Sequence, residues 1–208
     1  MITRRAAVAA GLATLFASRA AMAQQVDLAR ATAFIQATGD ELVAAINGGT
    51  NSVVDRRARV GVILRRAVDV EGVGRFILGR WWRVASAEQQ AEYLRLFEEV
   101  LIRNLSARFG EYQGVRFTLG RSQARTEEDA LVNTLVERPG SPAFGLDWRV
   151  AEVGGQPRVV DVIAEGTSLR LTTRSEYSSV ITRNGNNVGS LLVAMRQQIA
   201  QLESREGG

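Results

Sequence analysis

Apolar residues in this chain change their spacing twice, and that change bounds what it can fold into. From residue 27 to residue 109 they recur every three or four positions. From Val115 to Ile163 they alternate, and from about Ser168 onward the helical spacing returns. A period near 3.6 gives a helix one buried stripe, and a period of two gives a strand one buried face. Helices, then a four-stranded antiparallel meander, then helices again predict an α+β domain.

Residues 27–47 carry Leu28, Ala31, Phe34, Ile35, Leu42 and Ile46 at helical spacing and end at Gly48-Gly49. Residues 52–67 predict a second helix with Val54, Ala58, Val62 and Ile63 on its apolar face and arginines over much of the rest. Residues 70–79 predict a short helix closed by Gly79. Ser86-Ala87-Glu88-Gln89 reads as a capping box. The helix it opens has a stripe of Tyr93, Leu96, Phe97, Val100, Leu101, Leu105 and Phe109. Strands are predicted around Val115–Leu119, Leu131–Val136, Phe144–Val150 and Arg158–Ile163, with Gly154-Gly155 as the last turn. A final helix starts at an Asn186-Asn187 cap and buries Val188, Leu191, Leu192, Met195, Ile199 and Leu202.

Residues 1–23 read as a signal peptide. Arg4 and Arg5 precede an apolar stretch from Ala6 to Ala17, and Ala21-Met22-Ala23 fits a small-x-small cleavage site. A mature chain starting at Gln24 is expected in the periplasm, by the general or the twin-arginine route. Residues 24–208 then form one domain. The formal charge of +4 includes Arg4, Arg5 and Arg19, so the mature chain carries about +1. That near balance argues against a nucleic-acid footprint. The sequence contains no Cys, His or Lys. Thiolate and imidazole metal sites, disulfides, thiol nucleophiles and Schiff bases are thereby excluded. No phosphate loop, nucleophile elbow or metal-ligand spacing is present, and no cofactor is expected.

Two stretches stand out together. One is Asp69-Val70-Glu71-Gly72, with Leu78-Gly79-Arg80-Trp81-Trp82-Arg83 leading to Ser86. The other is Asp161-Val162-Ile163-Ala164-Glu165-Gly166-Thr167-Ser168-Leu169, followed by Arg174-Ser175-Glu176-Tyr177. Their order and spacing resemble the MlaC family of periplasmic phospholipid-binding proteins, over about residues 27–202. The resemblance implies a non-enzymatic, monomeric carrier of a phospholipid-like molecule. Its implied partners are an outer-membrane lipoprotein complex and an inner-membrane ABC transporter complex. Pro157 and Thr173 stand where the family often has aromatic residues. A subgroup is associated with hopanoids, so a polycyclic lipid is an alternative ligand.

A carrier must shield tails whose transfer to water costs ~0.8 kcal/mol per methylene. A sheet over a helical layer can leave an apolar cleft between them. The candidate lining residues are Phe76, Ile77, Trp81, Phe97, Val100, Leu101, Leu135, Trp148, Val160, Val162, Leu169, Tyr177, Ile181 and Leu192; the same residues would serve equally in a solid core. Trp81 rather than Trp82 is expected on the cavity side, one helical turn after Ile77. Arg83 and Arg174 are candidates for a phosphate at the mouth, or for ion pairs with Asp161 or Glu165. Two other readings remain open at this point: a pocket enzyme with Asp161 as buried base, and a cavity-free adaptor that binds protein only.

Overall fold

The structure is a computed structural model that describes residues 27–48, 52–110 and 114–206. The expected signal peptide and cleavage site lie outside the described residues, as does the side chain of Phe109. Six helices and five strands follow in the order α1 (Leu28–Asn47), α2 (Val53–Ala67), α3 (Val70–Leu78), a 3₁₀ turn (Gly79–Arg83), α4 (Ala87–Gly110), β1 (Arg116–Ala124), β2 (Asp129–Arg138), β3 (Ser141–Val153), β4 (Gln156–Ala164), β5 (Thr167–Ser168), α5 (Leu169–Arg183) and α6 (Val188–Glu206). The fold is α+β, as expected.

Local chemistry fixes the element ends. Asp27, Ser52, Asp69 and Ser168 cap α1, α2, α3 and α5, each accepting from a backbone amide three residues on. The capping box at α4 is reciprocal. Gln89 N donates to Ser86 Oγ at 3.2 Å, and Ser86 N donates to Gln89 Oε1 at 3.0 Å. Asn187 Oδ1 accepts from Gly189 N at 2.8 Å where α6 begins.

The sheet is an antiparallel meander in the order β1-β2-β3-β4-β5. Its fifth strand, a two-residue addition to the four expected, pairs across Glu165-Gly166. Both turn residues have positive φ, at 51° and 76°. Gly154-Gly155 makes the equivalent turn between β3 and β4 at 60° and 76°. Rows of side chains cross the inner face: Phe117, Val136 and Phe144; Leu119, Thr134, Leu146 and Ala164; Val132, Trp148 and Val162. Register shifts between Arg149 and Val150 opposite Val159–Asp161 leave Val160 as an extra residue. Val159 and Val160 are both buried there.

Two apolar cores are the largest. Residues of α3, the 3₁₀ turn, α4, α5 and α6 form a helical core around Leu78, Tyr93, Leu96, Ile181, Leu191 and Met195. On the other side, Ala31 and Ile35 of α1 pack on Ala130, Val132, Val150 and Val159 of the sheet. The two layers are joined where Val68 bridges Val159, with Asp69 N donating to Val159 O at 3.1 Å.

The face of α2 differs from expectation. Val54, Ala58 and Val62 are exposed, Ile63 is buried as expected, and the other buried residues are Val60, Gly61, Leu64 and Ala67. Both sets are spaced at three and four, so periodicity permits either stripe. Packing against Ile102 of α4 selects the second.

Candidate lipid cavity

Between the sheet, α1 and the helical layer lies a cavity of about 380 Å³, within the ~300–1,000 Å³ typical of small-molecule sites. From α1 come Thr38, Gly39, Leu42, Val43 and Ile46, and from the end of α2 Leu64, Ala67 and Val68. Val73 and Ile77 of α3 and Phe97, Leu101 and Leu105 of α4 form the floor. The sheet side contributes Val115, Phe117, Val136, Phe144, Leu146, Trp148, Val159, Val160, Val162 and Ala164, and α5 adds Leu169, Arg170 and Thr173. Leu169 is the exposed member of this wall at 48%, so the start of α5 forms the rim.

The wall is apolar because its few polar groups are already engaged. Trp148 donates its indole N–H to Thr134 Oγ1 at 2.8 Å, leaving its hydrocarbon face to the cavity. Thr38 and Thr173 donate to the carbonyls of Phe34 and Leu169, four residues back, at 2.8 and 2.9 Å. Gly39 lets α1 come down onto the sheet: a Cβ there would lie 2.3 Å from Phe117 Cε1.

Among the described lining residues, Asp161 and Arg170 are the charged pair. Asp161 accepts from Ser168 Oγ at 2.6 Å, Val162 N at 2.9 Å and Arg170 N at 3.2 Å. Burial pushes its carboxyl above the ordinary carboxylate range, against the lowering effect of the Ser168 and Val162 bonds and of Arg149 and Arg125. The geometry commits Asp161 to tying the start of α5 to β4.

Seven expected residues line the cavity: Ile77, Phe97, Leu101, Trp148, Val160, Val162 and Leu169. Trp81, Val100, Ile181 and Leu192 are buried in the helical core instead, with Phe76 and Tyr177 packed against it. Trp81 donates to Ser178 Oγ at 3.3 Å, and Arg80 lies 4.4 Å over its ring. The expectation for Trp81 assumed an unbroken helix from Ile77. Gly79, at φ 58°, ends α3 and starts a 3₁₀ turn with three residues per turn, which rotates the indole onto α5. Trp82 is half-buried beneath Arg75. Leu135 is 40% exposed on the outer face, because β2 buries Ala130, Val132, Thr134 and Val136.

Arg83 is exposed on the 3₁₀ turn. Arg174 lies against Gly79 and donates to Phe76 O at 3.2 Å. Neither forms an ion pair with Asp161 or Glu165; the arginine beside Asp161 is Arg170, at 3.3 Å. Sequence reasoning missed the whole α1 wall, although Leu42 and Ile46 stood in its apolar stripe, and missed Arg170 between two leucines.

A second hollow, about 540 Å³, lies between α2, α3 and α4. Its walls carry Arg57, Arg65, Arg95, Arg103, Glu71, Glu98 and Glu99. Arg65 pairs with Glu98 at 2.6 Å and Arg103 with Glu99 at 2.8 Å. Such a charged groove cannot desolvate a hydrocarbon tail. Among the described residues, no group of acidic side chains could hold a metal, and no helix is long and apolar enough to cross a membrane.

A model of the MlaC protein family matches residues 36–197, most of the chain. The chain belongs to the MlaC family. It is 22% identical to the toluene tolerance protein ttg2D of Pseudomonas putida over 140 residues, covering 67% of this chain and 65% of that protein. It is 20% identical over 176 residues to the intermembrane phospholipid transport system binding protein MlaC of Haemophilus influenzae, covering 80% and 81% of the two chains. A phospholipid-binding protein from Ralstonia solanacearum, solved in complex with a phospholipid, superposes with a TM-score of 0.73. That likeness covers 83% of this chain and 98% of the other at 24% identity, and it establishes the shared fold.

Proposed function

We propose that this MlaC-family chain is a lipid carrier that encloses the tails of a phospholipid in the cavity and moves it between membranes. The observation that carries the reading is an apolar cavity left open between two packed layers. Protein interiors are ordinarily filled to crystal-like density. Apolar wall atoms without neighbours on one side forgo dispersion contacts that a tail would restore. The names of the Haemophilus and Ralstonia relatives support a phospholipid as the ligand.

The same reading makes residues 1–23 an export signal and the periplasm the working compartment. An outer-membrane lipoprotein complex and an inner-membrane ABC transporter complex would be the donor and acceptor. The carrier acts as a monomer without a catalytic step or cofactor. The deciding experiment is mass spectrometry of the organic extract from purified protein. About one glycerophospholipid per chain is expected, retained through gel filtration. A polycyclic lipid in that extract would assign the chain to hopanoids instead. Protein that carries no lipid and takes none from vesicles would end the carrier reading.

A further inference from the structure

We propose that Arg170 binds the phosphate of the ligand's headgroup at the cavity rim and so selects phosphate-bearing lipids over neutral ones. This rests on the reading of the cavity as a lipid site. Arg170 is the second residue of α5, beside the exposed Leu169, and its side chain is 17% exposed. It is the cationic member of a wall that is otherwise apolar apart from Asp161 and two threonines whose hydroxyls donate to α1 and α5 backbone carbonyls.

The guanidinium has most of its hydrogen-bonding capacity left. Of its five N–H donors, one reaches Val160 O, at a long 3.4 Å. Nε lies 3.3 Å from Asp161 Oδ2 but lacks hydrogen-bond geometry and is buried without a hydrogen-bond partner. Asp161 does not need it: Ser168 Oγ holds Oδ2, and the amides of Val162 and Arg170 hold Oδ1. A closed bidentate pair would use both carboxylate oxygens and two guanidinium nitrogens. Here the contact is at Nε, 3.3 Å away and without hydrogen-bond geometry.

Other contacts hold the guanidinium in place. Its carbon sits 4.2 Å from the centre of the Phe76 ring. Arg174, one turn further along α5, lies 4.9 Å from the same ring. Arg174 is committed to the Phe76 carbonyl and to the space left by Gly79. Arg174 thus puts a second positive charge on the Phe76 ring, outside the cavity wall. Thr173 shares that side of α5, and rotation of its hydroxyl would supply a further donor. The helix end offers little itself, because the amides of Arg170 and Leu171 already donate to Asp161 and Ser168. The anion's partner is therefore a planar fork in a partly dehydrated rim, where charge-assisted bonds are strong.

The shared chemistry is a phosphate ester, which a lipid headgroup or a free glycerol phosphate could supply. The test loads delipidated chain from micelles of a phosphate-free detergent carrying either phosphatidic acid or diacylglycerol with the same tails. Native mass spectrometry reads occupancy, and calorimetry follows glycerol 3-phosphate alone. Wild type should prefer phosphatidic acid by roughly ten- to hundredfold, the scale of a charge-assisted bond. Arg170→Met should lower phosphatidic acid to the diacylglycerol level and leave diacylglycerol retention unchanged. Arg170→Lys should recover part of the preference, and glycerol 3-phosphate should not bind measurably. Equal retention of both lipids by wild type overturns the headgroup assignment while the carrier reading stands, and it needs no variant to fold. Preference that survives in Arg170→Met overturns the role of Arg170. Arg170-dependent binding of glycerol 3-phosphate without selection between the lipids overturns the headgroup as the source. Retention of neither lipid by wild type ends the carrier reading and this one with it.

Discussion

Replacing Gly39 by alanine tests whether α1 and the sheet really close the cavity as the structure has it. Glycine inside a helix is disfavoured relative to alanine by about 1 kcal/mol, so the substitution in free space would stabilise α1 by that amount. At Gly39 the new methyl would meet Phe117 at 2.3, 2.6 and 2.7 Å, all on the ring. Carbon pairs are comfortable at ~3.5–4.0 Å, so the ring has to retreat by more than about 1 Å. Overpacking of this kind costs about 1–3 kcal/mol in a filled core. Phe117 is only half-buried, on the edge strand β1, and borders the cavity, so it can yield into empty space. The lower part of that range applies, and the net change should be a loss of ~0–1 kcal/mol. The displaced ring then occupies volume meant for the ligand. Gly61→Ala is the control, since its methyl would stand 3.4 Å from Ile102 Cδ1, an ordinary contact, away from the cavity. It should gain most of the ~1 kcal/mol. Urea unfolding ranks the three proteins, and native mass spectrometry reads lipid occupancy. Gly39→Ala as stable as Gly61→Ala, with full lipid occupancy, would refute the seating of Phe117 on α1.

Two further outcomes follow from the packing. Trp81→Ala should destabilise the chain by ~3–5 kcal/mol, because the indole is buried in the helical core, while Trp82→Ala costs much less; loss of lipid with unchanged urea stability in Trp81→Ala would return Trp81 to the cavity. Asp161 has its carboxyl raised by burial, so between its ordinary value near ~3.9 and the raised one the folded state binds more protons than the unfolded. The contribution of Asp161 to stability is then fully present below that window and lost as pH rises through it. Wild type should lose stability relative to Asp161→Asn as pH climbs through the carboxylate range, checked by paired thermal melts; a gap that widens in favour of wild type contradicts the sign.

Where a helix or strand begins is written in local chemistry, and so it was legible. Asp69, Ser86, Ser168 and Asn187 each satisfy an amide that the helix cannot satisfy itself, and Gly154-Gly155 supplies two positive-φ positions for a hairpin. Which face a helix turns inward is a tertiary choice. Val54, Ala58 and Val62 offered one stripe of α2, and Val60, Leu64 and Ala67 offered another. Only tertiary neighbours distinguish them, Ile102 on α4 and Leu42 and Ala45 on α1. Parity on β2 poses the same problem, since Leu131 and Leu135 look as apolar as Val132 and Val136. The extra Val160 on β4 cannot be seen at all without its partner strand. Arg170 escaped notice for a related reason: an arginine between two exposed leucines reads as surface until the turn of α5 brings it over Phe76.

A hollow domain has to find its stability elsewhere, and the division of this chain into two cores shows where. Tyr93, Leu78, Leu96, Ile181, Leu191 and Met195 are nearly or wholly excluded from solvent in the helical core and do not line the cavity. Arg103, buried and paired with the more exposed Glu99 and Glu203, fastens α4 to α6. Residues such as Phe97 and Ile77 stand at the boundary, with one side in that core and the other on the cavity wall. The sheet side can therefore stay unfilled, and α1 can ride on Phe117, without the helical layer losing its packing. Trimming the helical core should weaken folding first, whereas trimming the α1 and sheet wall should weaken ligand retention first. On the proposed carrier reading, that separation lets the wall give way to a departing ligand while the helical core stays packed.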